Sequence, residues 1–198
     1  IFEDVNNDGQ LDSKDMKFMG YIRPDKVGGI VNSFKYKGLT VRVVMDWAMG
    51  HVIDNGFKGQ IMGSSRNNNN AIKDAMTNSW QSANDGTKYP KYTVQSDYDY
   101  QYRNHMRWDN QIGSSESGST NNSLYFSKGD YLAFREVSLS YMLPSTWVRK
   151  IRLSGVEVFA GAYNIGYIKK YDGMFPEIYT GVDYGVYPRP RQYNMGVK

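Results

Sequence analysis

The 198-residue chain contains no cysteine. That excludes a disulfide framework, a thiolate metal site and a cysteine nucleophile. It has two histidines, His51 and His105. Neither belongs to an HExxH zinc motif, and no nucleophile elbow or phosphate loop is present. A carboxylate pair for glycoside hydrolysis leaves no local signature, and nothing else points to catalysis, so the chain is expected not to be an enzyme. No run of 18 apolar residues exists, which excludes a transmembrane helix. The net charge is +4, but Lys and Arg are scattered among Asp and Glu, so no nucleic-acid groove is expected. The chain opens on IFEDVNNDG without a signal peptide or initiator Met. It reads like the middle of a longer sequence, and a fragment is expected.

Aromatics are plentiful: 17 Tyr and 4 Trp, within an aromatic share of 15%. Such a share points to strands or interfaces. Alternation of period two dominates the sequence. In LTVRVVMDWAM (39–49), Leu39, Val41, Val43, Met45, Trp47 and Met49 fall on one face. Thr40, Arg42, Val44, Asp46 and Ala48 fall on the other. In YLAFREVSLSYML (131–143), Val137, Leu139, Tyr141 and Leu143 oppose Glu136, Ser138 and Ser140. In GVEVFAGAY (155–163), Val156, Val158, Ala160 and Ala162 oppose Glu157, Phe159, Gly161 and Tyr163. RQYNMGVK (191–198) sets Tyr193, Met195 and Val197 against Gln192, Asn194 and Gly196. A weaker strand covers 27–36, its start blurred by Gly28 and Gly29.

The connections alternate in length. Lys37-Gly38 is a tight hairpin turn. Residues 144–154 form a modest turn in which Trp147 and Val148 can pack locally. Residues 50–130 and 164–190 form long excursions. Short turns on one edge and long loops on the other are the habit of outer-membrane barrels, and strands of about 9 to 11 residues cross a bilayer when tilted. In such a barrel the apolar face looks outward and the polar face looks into a wet lumen. Arg42, Asp46 and Glu136 fit the polar face. Tyr36, Trp47, Tyr131 and Tyr141 lie near strand ends, where aromatic girdles belong. The expected fold is all-β: an antiparallel up-and-down transmembrane barrel segment of about five strands, with long extracellular loops. An ordinary antiparallel sheet packed on one side remains open on pattern alone.

The first line carries a denser signal. DVNNDGQLDSKD (4–15) holds six Asp or Asn in twelve residues. Asp4, Asn6, Asp8, Gln10, Asp12 and Asp15 occupy the six oxygen-donating positions of a calcium loop, with Gly9 at the sharp turn. Gln10 would act through its carbonyl and Asp12 through a water. Asp15 stands where the longer Glu is usual. Structural Ca2+ is the expected cofactor, and an Asx-rich turn is the alternative.

The long connection carries NNNN and then AIKDAMTNSW. Asn70 is a candidate cap for a helix with Ile72, Ala75, Met76 and Trp80 on one face. Tyr89, Tyr92, Tyr98, Tyr100, Tyr102, His105 and Trp108 follow, interleaved with Asp97, Asp99, Arg103 and Arg107. Three roles stay open: a small core for the loop itself, contact with a lid protein, or contact with substrate through Tyr98, Tyr100, Tyr102, Arg103 and Trp108. The NNNN and SSESGSTNNS tracts read as connectors.

The order of these segments resembles the C-terminal barrel part of SusC/RagA-type TonB-dependent outer-membrane transporters. DVNNDGQLDSKD, then Gly20 and IRPD, resembles the family's Asp-rich loop and its G-x-x-x-P approach to a strand. FKYKGLTVRVVMDWAMG resembles its YKGF turn and the following strand. GDYLAFREVSLSYMLP resembles YLRLKNVTLGYTLP, VEVFAGAYNI resembles RVYVSGQNL, and DYGVYPRPRQYNMGVK resembles the closing YPxPRxYxxG. The matches run nearly the whole length in order. Such chains end in an aromatic, whereas this one stops at Lys198, which implies a few further residues. The resemblance implies that these are about five of the last strands of a barrel of about 22, in the outer membrane of a Bacteroidetes-like Gram-negative bacterium. It implies import of oligosaccharide or peptide, energy from TonB through upstream residues, and a SusD-like surface lipoprotein as lid. Its partners would be the rest of the barrel and plug, and outer-membrane lipid. On this reading 1–26 is an extracellular loop, 27–49 a hairpin, 50–130 an extracellular loop with a short helix, 131–163 a hairpin, 164–190 an extracellular loop and 191–198 the last strand. A secreted, calcium-stapled β-sandwich that binds glycan or acts as an adhesin is the alternative.

Overall fold

The computed structural model describes residues 3–9, 13–62, 72–87, 89, 91 and 123–198. The chain divides into two compact units. One comprises Arg23–His51, Lys128–Glu177 and Tyr187–Lys198. It is built on a five-stranded sheet of strands β1 (Lys26–Tyr36), β2 (Leu39–Met49), β5 (Tyr131–Met142), β6 (Glu157–Lys169) and β7 (Gln192–Val197), in that spatial order. Every neighbouring pair is antiparallel. The first four strands run 11, 11, 12 and 13 residues, long enough to span a bilayer when tilted. β1 and β7 are edges, and the sheet does not close on itself.

The register places the expected faces. Tyr36, Leu39, Tyr141, Val158 and Val197 form one row across five strands, and Phe34, Val41, Leu139, Ala160 and Met195 form the next. This apolar face is open: Leu139 is 47% exposed, Val158 43% and Met195 86%. A water-soluble sheet buries such a face, because each large apolar side chain left in water forgoes about 1.5–3 kcal/mol. The burial in this unit lies on the other face, where Ala48, Tyr131 and Ala133 cluster with Tyr167 against them. Tyr131 therefore does not join the aromatics of the apolar face. It pairs with Ala48, one step out of phase with Trp47.

Gly28 does not delay β1, which begins at Lys26. Gly28 pairs with Trp47, and a Cβ on it would stand 2.4 Å from the indole Cζ2. The indole covers the glycine and supplies the surface it lacks. β6 runs six residues past the expected end at Tyr163, as far as Lys169. The alternation is broken midway, where Asn164 takes φ 51°, and a period-two reading stops there.

The short turn after β5 is an ordered helical knuckle. Helix α3 (Ser145–Val148) passes into a 3-10 turn (Arg149–Ile151) and ends at Arg152 with φ 59°. Val148 is buried, but Trp147 is 62% exposed rather than packed locally.

The second unit comprises Ile1–Ile22, Val52–Ser127 and Ile178–Val186. β3 (Val52–Asp54) pairs with β4 (Phe126–Lys128). Helix α1 (Gly56–Met62) is capped by Asn55, whose Oδ1 accepts the Lys58 N–H at 2.9 Å. Helix α2 is shorter than expected, Lys73–Thr77, and its cap position is Ile72 with no side-chain bond. Asn70 is thus not its cap. Met76 and Trp80 are exposed, so of the face expected to pack only Ile72, among the residues whose burial is described, does so. Tyr89 and Tyr125 form a buried cluster, with Ile72 and Leu124 against them.

Candidate functional site: a charged network on the polar face

The polar face carries a network that simple alternation cannot produce. Between β2 and β5 the register shifts: Val44 pairs with Glu136, but Met45 pairs with Phe134. Arg135 is the extra residue. Between β5 and β6 the shift recurs at the same level, where Glu136 pairs with Tyr163 and Phe134 with Gly166. Two residues of β6, Asn164 and Ile165, there oppose the single Arg135. A bulge lets two consecutive residues share a face. Arg135 and Glu136 both reach polar partners, while Phe134 stays in the row of Met45.

Arg135 is the hub. Its Nη2 donates to Asp46 Oδ2 at 2.7 Å and its Nε to Asp46 Oδ1. Its Nη1 lies 2.5 Å from Glu177 Oε1. The Tyr167 hydroxyl donates to the same Glu177 oxygen at 2.6 Å, and Arg189 Nη2 stands 3.3 Å from Oε2. Glu177 is 1% exposed at its side chain. A buried carboxylate is tolerable only when its oxygens are matched in this way. The Arg135 guanidinium also sits 5.8 Å from the Tyr167 ring centroid. Tyr167 in turn meets Tyr131 and Phe175 edge to face at 5.9 and 6.0 Å. With Tyr171, Phe175, Pro176 and Glu177 buried, the network fixes the segment after β6 on the polar face. Lower on that face, Arg42 Nε meets Glu136 Oε2 at 3.4 Å, and Ser138 donates to Glu136 Oε1 at 2.8 Å. Chemically this is a charge-bearing face with a firmly held polar hub.

At the end of β2, Asp130 accepts the Gly50 N–H at 2.8 Å and faces Lys170 Nζ at 3.1 Å. Burial alone would raise the Asp130 carboxyl, but the Gly50 N–H, the Lys170 ammonium and His51 together hold it below the usual range. His51 is buried beside it, and among the described residues its Nδ1 has no hydrogen-bond partner. Burial holds its imidazole below the ordinary value, the Asp130 charge offsetting this only in part. In the second unit, burial pushes the Asp54 carboxyl up to about 7. Its main chain is bonded to Gly181 and Asp183 at 2.9 and 2.8 Å.

Of the expected metal ligands, Asp4, Asn6, Asp8 and Asp15 are described, while Gln10 and Asp12 lie outside the described residues. Asp4 accepts the N–H groups of Asp8 and Gly9 at 3.3 and 2.8 Å. Asn6 accepts the Asp8 N–H at 3.1 Å, and Asp15 reaches back to the Val5 N–H at 2.8 Å. Gly9 has φ 79°, the conformation its turn requires. The loop thus closes on itself, its twelfth position brought back to its second. Among the described residues, no three His, Cys, Asp or Glu side chains converge on a metal position, and Lys14 Nζ lies 3.7 Å from Asp8. Of the aromatic series, Tyr89 is buried with its hydroxyl 2.9 Å from Asp74 Oδ2, a packing role. Tyr98, Tyr100, Tyr102, Arg103 and Trp108 lie outside the described residues.

Sequence reasoning placed Arg42, Asp46 and Glu136 but missed Arg135, Tyr167, Glu177 and Arg189. The visible signal was the adjacent charged pair Arg135-Glu136 inside an alternating strand.

No family model matches the chain. Over 209 residues it is 25% identical to TonB-dependent receptor P3 of Formosa agariphila, covering 100% of this chain and 18% of that protein. It is 23% identical to TonB-dependent receptor P39 of the same organism, covering 90% and 16%. Among solved structures, the RagAB peptide transporter superposes with a TM-score of 0.68 at 20% identity, covering 96% of this chain and 20% of that one. The RagAB peptide importer in its closed-closed state gives 0.66 at 20% identity, with the same coverage. The chain therefore spans about a fifth of the length of the proteins it matches.

Proposed function

We propose that this chain, which is similar along its length to TonB-dependent receptors and shares the fold of the RagAB barrel, forms part of the wall of an outer-membrane importer of the SusC/RagA type. The whole protein imports large nutrients, oligosaccharide or peptide, driven through TonB and capped by a SusD-like lipoprotein. The carrying observation is the inverted polarity of the sheet. Its apolar rows are open, while its buried ionic hub and its small buried cluster occupy the opposite face. Acyl chains solvate the first face and lumen water or plug contacts solvate the second. The two open edges are completed by the rest of the barrel, because unpaired strand edges recruit other strands. A β-sandwich is not favoured, since it would cover Leu139 and Val158.

The loop of Asp4–Asp15 we read as a calcium staple rather than a sensor, because sensors work as helix pairs. Support comes from the donor spacing and from the bonds that draw Asp15 back to Val5. The aromatic run from Tyr98 to Trp108 we read as lid or substrate contact.

The intact protein tests the wall reading. It should fractionate with outer membranes, require detergent for extraction and migrate faster unheated than boiled. A detergent-free, soluble monomer with a cooperative melt would reject it in favour of the sandwich. Uptake of labelled oligosaccharide and of labelled peptide by cells, with and without the protein, decides the cargo class.

A further inference from the structure

The two short turns of the sheet carry an unbalanced charge. Lys35 and Lys37 flank the first, and Arg149, Lys150 and Arg152 lie in the second. All five are exposed. No Asp or Glu occurs in 35–38 or 143–156. Among the described residues none of the five forms an ion pair. At the opposite ends of the strands acidic residues are present: Lys170 meets Asp130, Arg189 meets Glu177, and Asp25 lies between Arg23 and Lys26.

The second turn adds an apolar anomaly. Trp147 and Ile151, four residues apart and so on one side of the helical turn, are 62% and 64% exposed, with Leu153 also open. The knuckle that presents them is not loose. Val148 anchors it, the Trp147 N–H is bonded to Pro144 O at 3.0 Å, and Arg152 closes it through Arg149 O at 3.1 Å. A rigid turn that holds an indole and two aliphatic side chains in the open beside three unpaired cations is ill suited to bulk water. It suits the boundary between acyl chains and anionic headgroups, where indole rings sit at headgroup depth and cations meet phosphate. The turn also directly follows the apolar row of Tyr141 and Val158, both exposed.

We propose that the short-turn edge, centred on Trp147, Arg149, Lys150 and Arg152, is a binding surface for anionic phospholipid in the leaflet beneath the short turns. The inference rests on the barrel-wall reading and deepens it by naming a lipid headgroup chemistry. Arg149 and Arg152 offer planar donors matched to phosphate oxygens, Lys150 adds a point charge, and Trp147 and Ile151 insert beside the acyl chains. The Lys35–Lys37 turn extends the positive edge, with Lys37 Nζ 5.3 Å from the Tyr36 ring.

The test uses the intact protein purified in neutral detergent. It is titrated with phosphatidylglycerol and, separately, with phosphatidylcholine of the same chains, and bound lipid is counted by native mass spectrometry. Phosphatidylglycerol should bind on the order of a hundredfold more tightly, and the Arg149→Gln/Lys150→Gln/Arg152→Gln variant, at roughly fivefold per cation removed, should lose most of that preference. Equal affinity for the two lipids, or an undiminished preference in the variant, overturns the proposal. A second readout does not depend on how well that variant inserts. In proteoliposomes, bromine-labelled phosphatidylglycerol should quench the Trp147 component, taken as wild type minus Trp147→Phe, more than bromine-labelled phosphatidylcholine at equal mole fraction. No difference in quenching also overturns it. Heat-modifiable migration separates the two failures. A protein lacking it rejects the barrel reading itself, and a protein showing it without lipid preference rejects only the anionic edge.

Discussion

Arg135 on β5 and Asp46 on β2 are joined by two bonds, with Nη2 2.7 Å from Oδ2 and Nε on Oδ1. The same guanidinium holds the buried Glu177. Replacing Arg135 by Met would leave the buried Glu177 with Arg189 as its one remaining cation among the described residues, and would strip the partly exposed Asp46 of its guanidinium. Breaking a pair of this kind typically costs about 3–5 kcal/mol. The expected outcome is a lower unfolding midpoint for the intact protein in urea, with a smaller loss for Glu177→Gln, which keeps an acceptor for Tyr167. Equal midpoints for wild type and Arg135→Met would show that the network is idle.

The two faces should respond oppositely to charge. Leu139→Lys places a cation in the open apolar row, where the lipid-face penalty is about 2–4 kcal/mol near the midplane. Ser138→Lys, one residue away, faces the polar side and should be tolerated within about 0.5 kcal/mol. Yield of heat-modifiable protein in the membrane fraction reads the contrast. If both variants insert equally, the face assignment is wrong.

His51 makes stability depend on pH. Its ordinary value is 6.5 and folding lowers it. Below about pH 6.5 the unfolded chain takes up a proton that the folded chain refuses, so stability falls with acidification until the lowered value is passed. The Asp130 carboxyl, also lowered, contributes further loss at more acidic pH, as it becomes protonated and releases Gly50 and Lys170. Asp54, pushed up to about 7, works the other way in the same range, gaining stability as it is protonated, so the His51 share is read as a difference: below about pH 6.5 the melting temperature of the wild type should fall relative to that of His51→Gln. An unchanged difference across that range would remove His51 from the account.

Gly28 is held small by Trp47. A valine there would drive Cβ into the indole, and overpacking of this sort costs about 1–3 kcal/mol. Gly28→Val should lower the melting temperature and shift the Trp emission maximum, whereas Gly29→Val, whose Cβ would meet Met45 O at 3.2 Å, should leave emission unchanged.

Calcium gives a separate test. Calorimetry on the intact protein should show binding of Ca2+ that Asp4→Ala and Asp8→Ala abolish. Undiminished heat in both variants would leave the Asp4–Asp15 loop as a hydrogen-bonded turn.

Much of the sheet was legible because its signal is local. β2 alternates without a break for eleven residues, and that alone fixed which of its side chains share a face with Leu139 and Val158. Elsewhere the signal was tertiary. β6 was cut short at Tyr163 because Asn164 interrupts the phase, although the strand resumes its pairing at Gly166. Glu177 lies in an aperiodic connection, so nothing along the chain reports that it is buried under Arg135 and Arg189. Trp147 was expected to pack locally because an isolated indole usually does, and its exposure depends on a helical knuckle that four residues cannot announce. The α2 helix was overextended because Trp80 continued its apolar spacing, while the chain instead turned to pair Ser79 with Tyr89.

The doubled bulge bears on how such walls are recognised. A scan that counts odd and even positions through residues 131–142 would hand Arg135 to the hydrocarbon and discard the strand. Two neighbouring opposite charges amid clean alternation mark instead a rung where the count should restart. Deleting Arg135 alone would restore an unbroken count on β5, with Phe134 and Val137 keeping their rows, and would cost the wall its hub rather than its polarity.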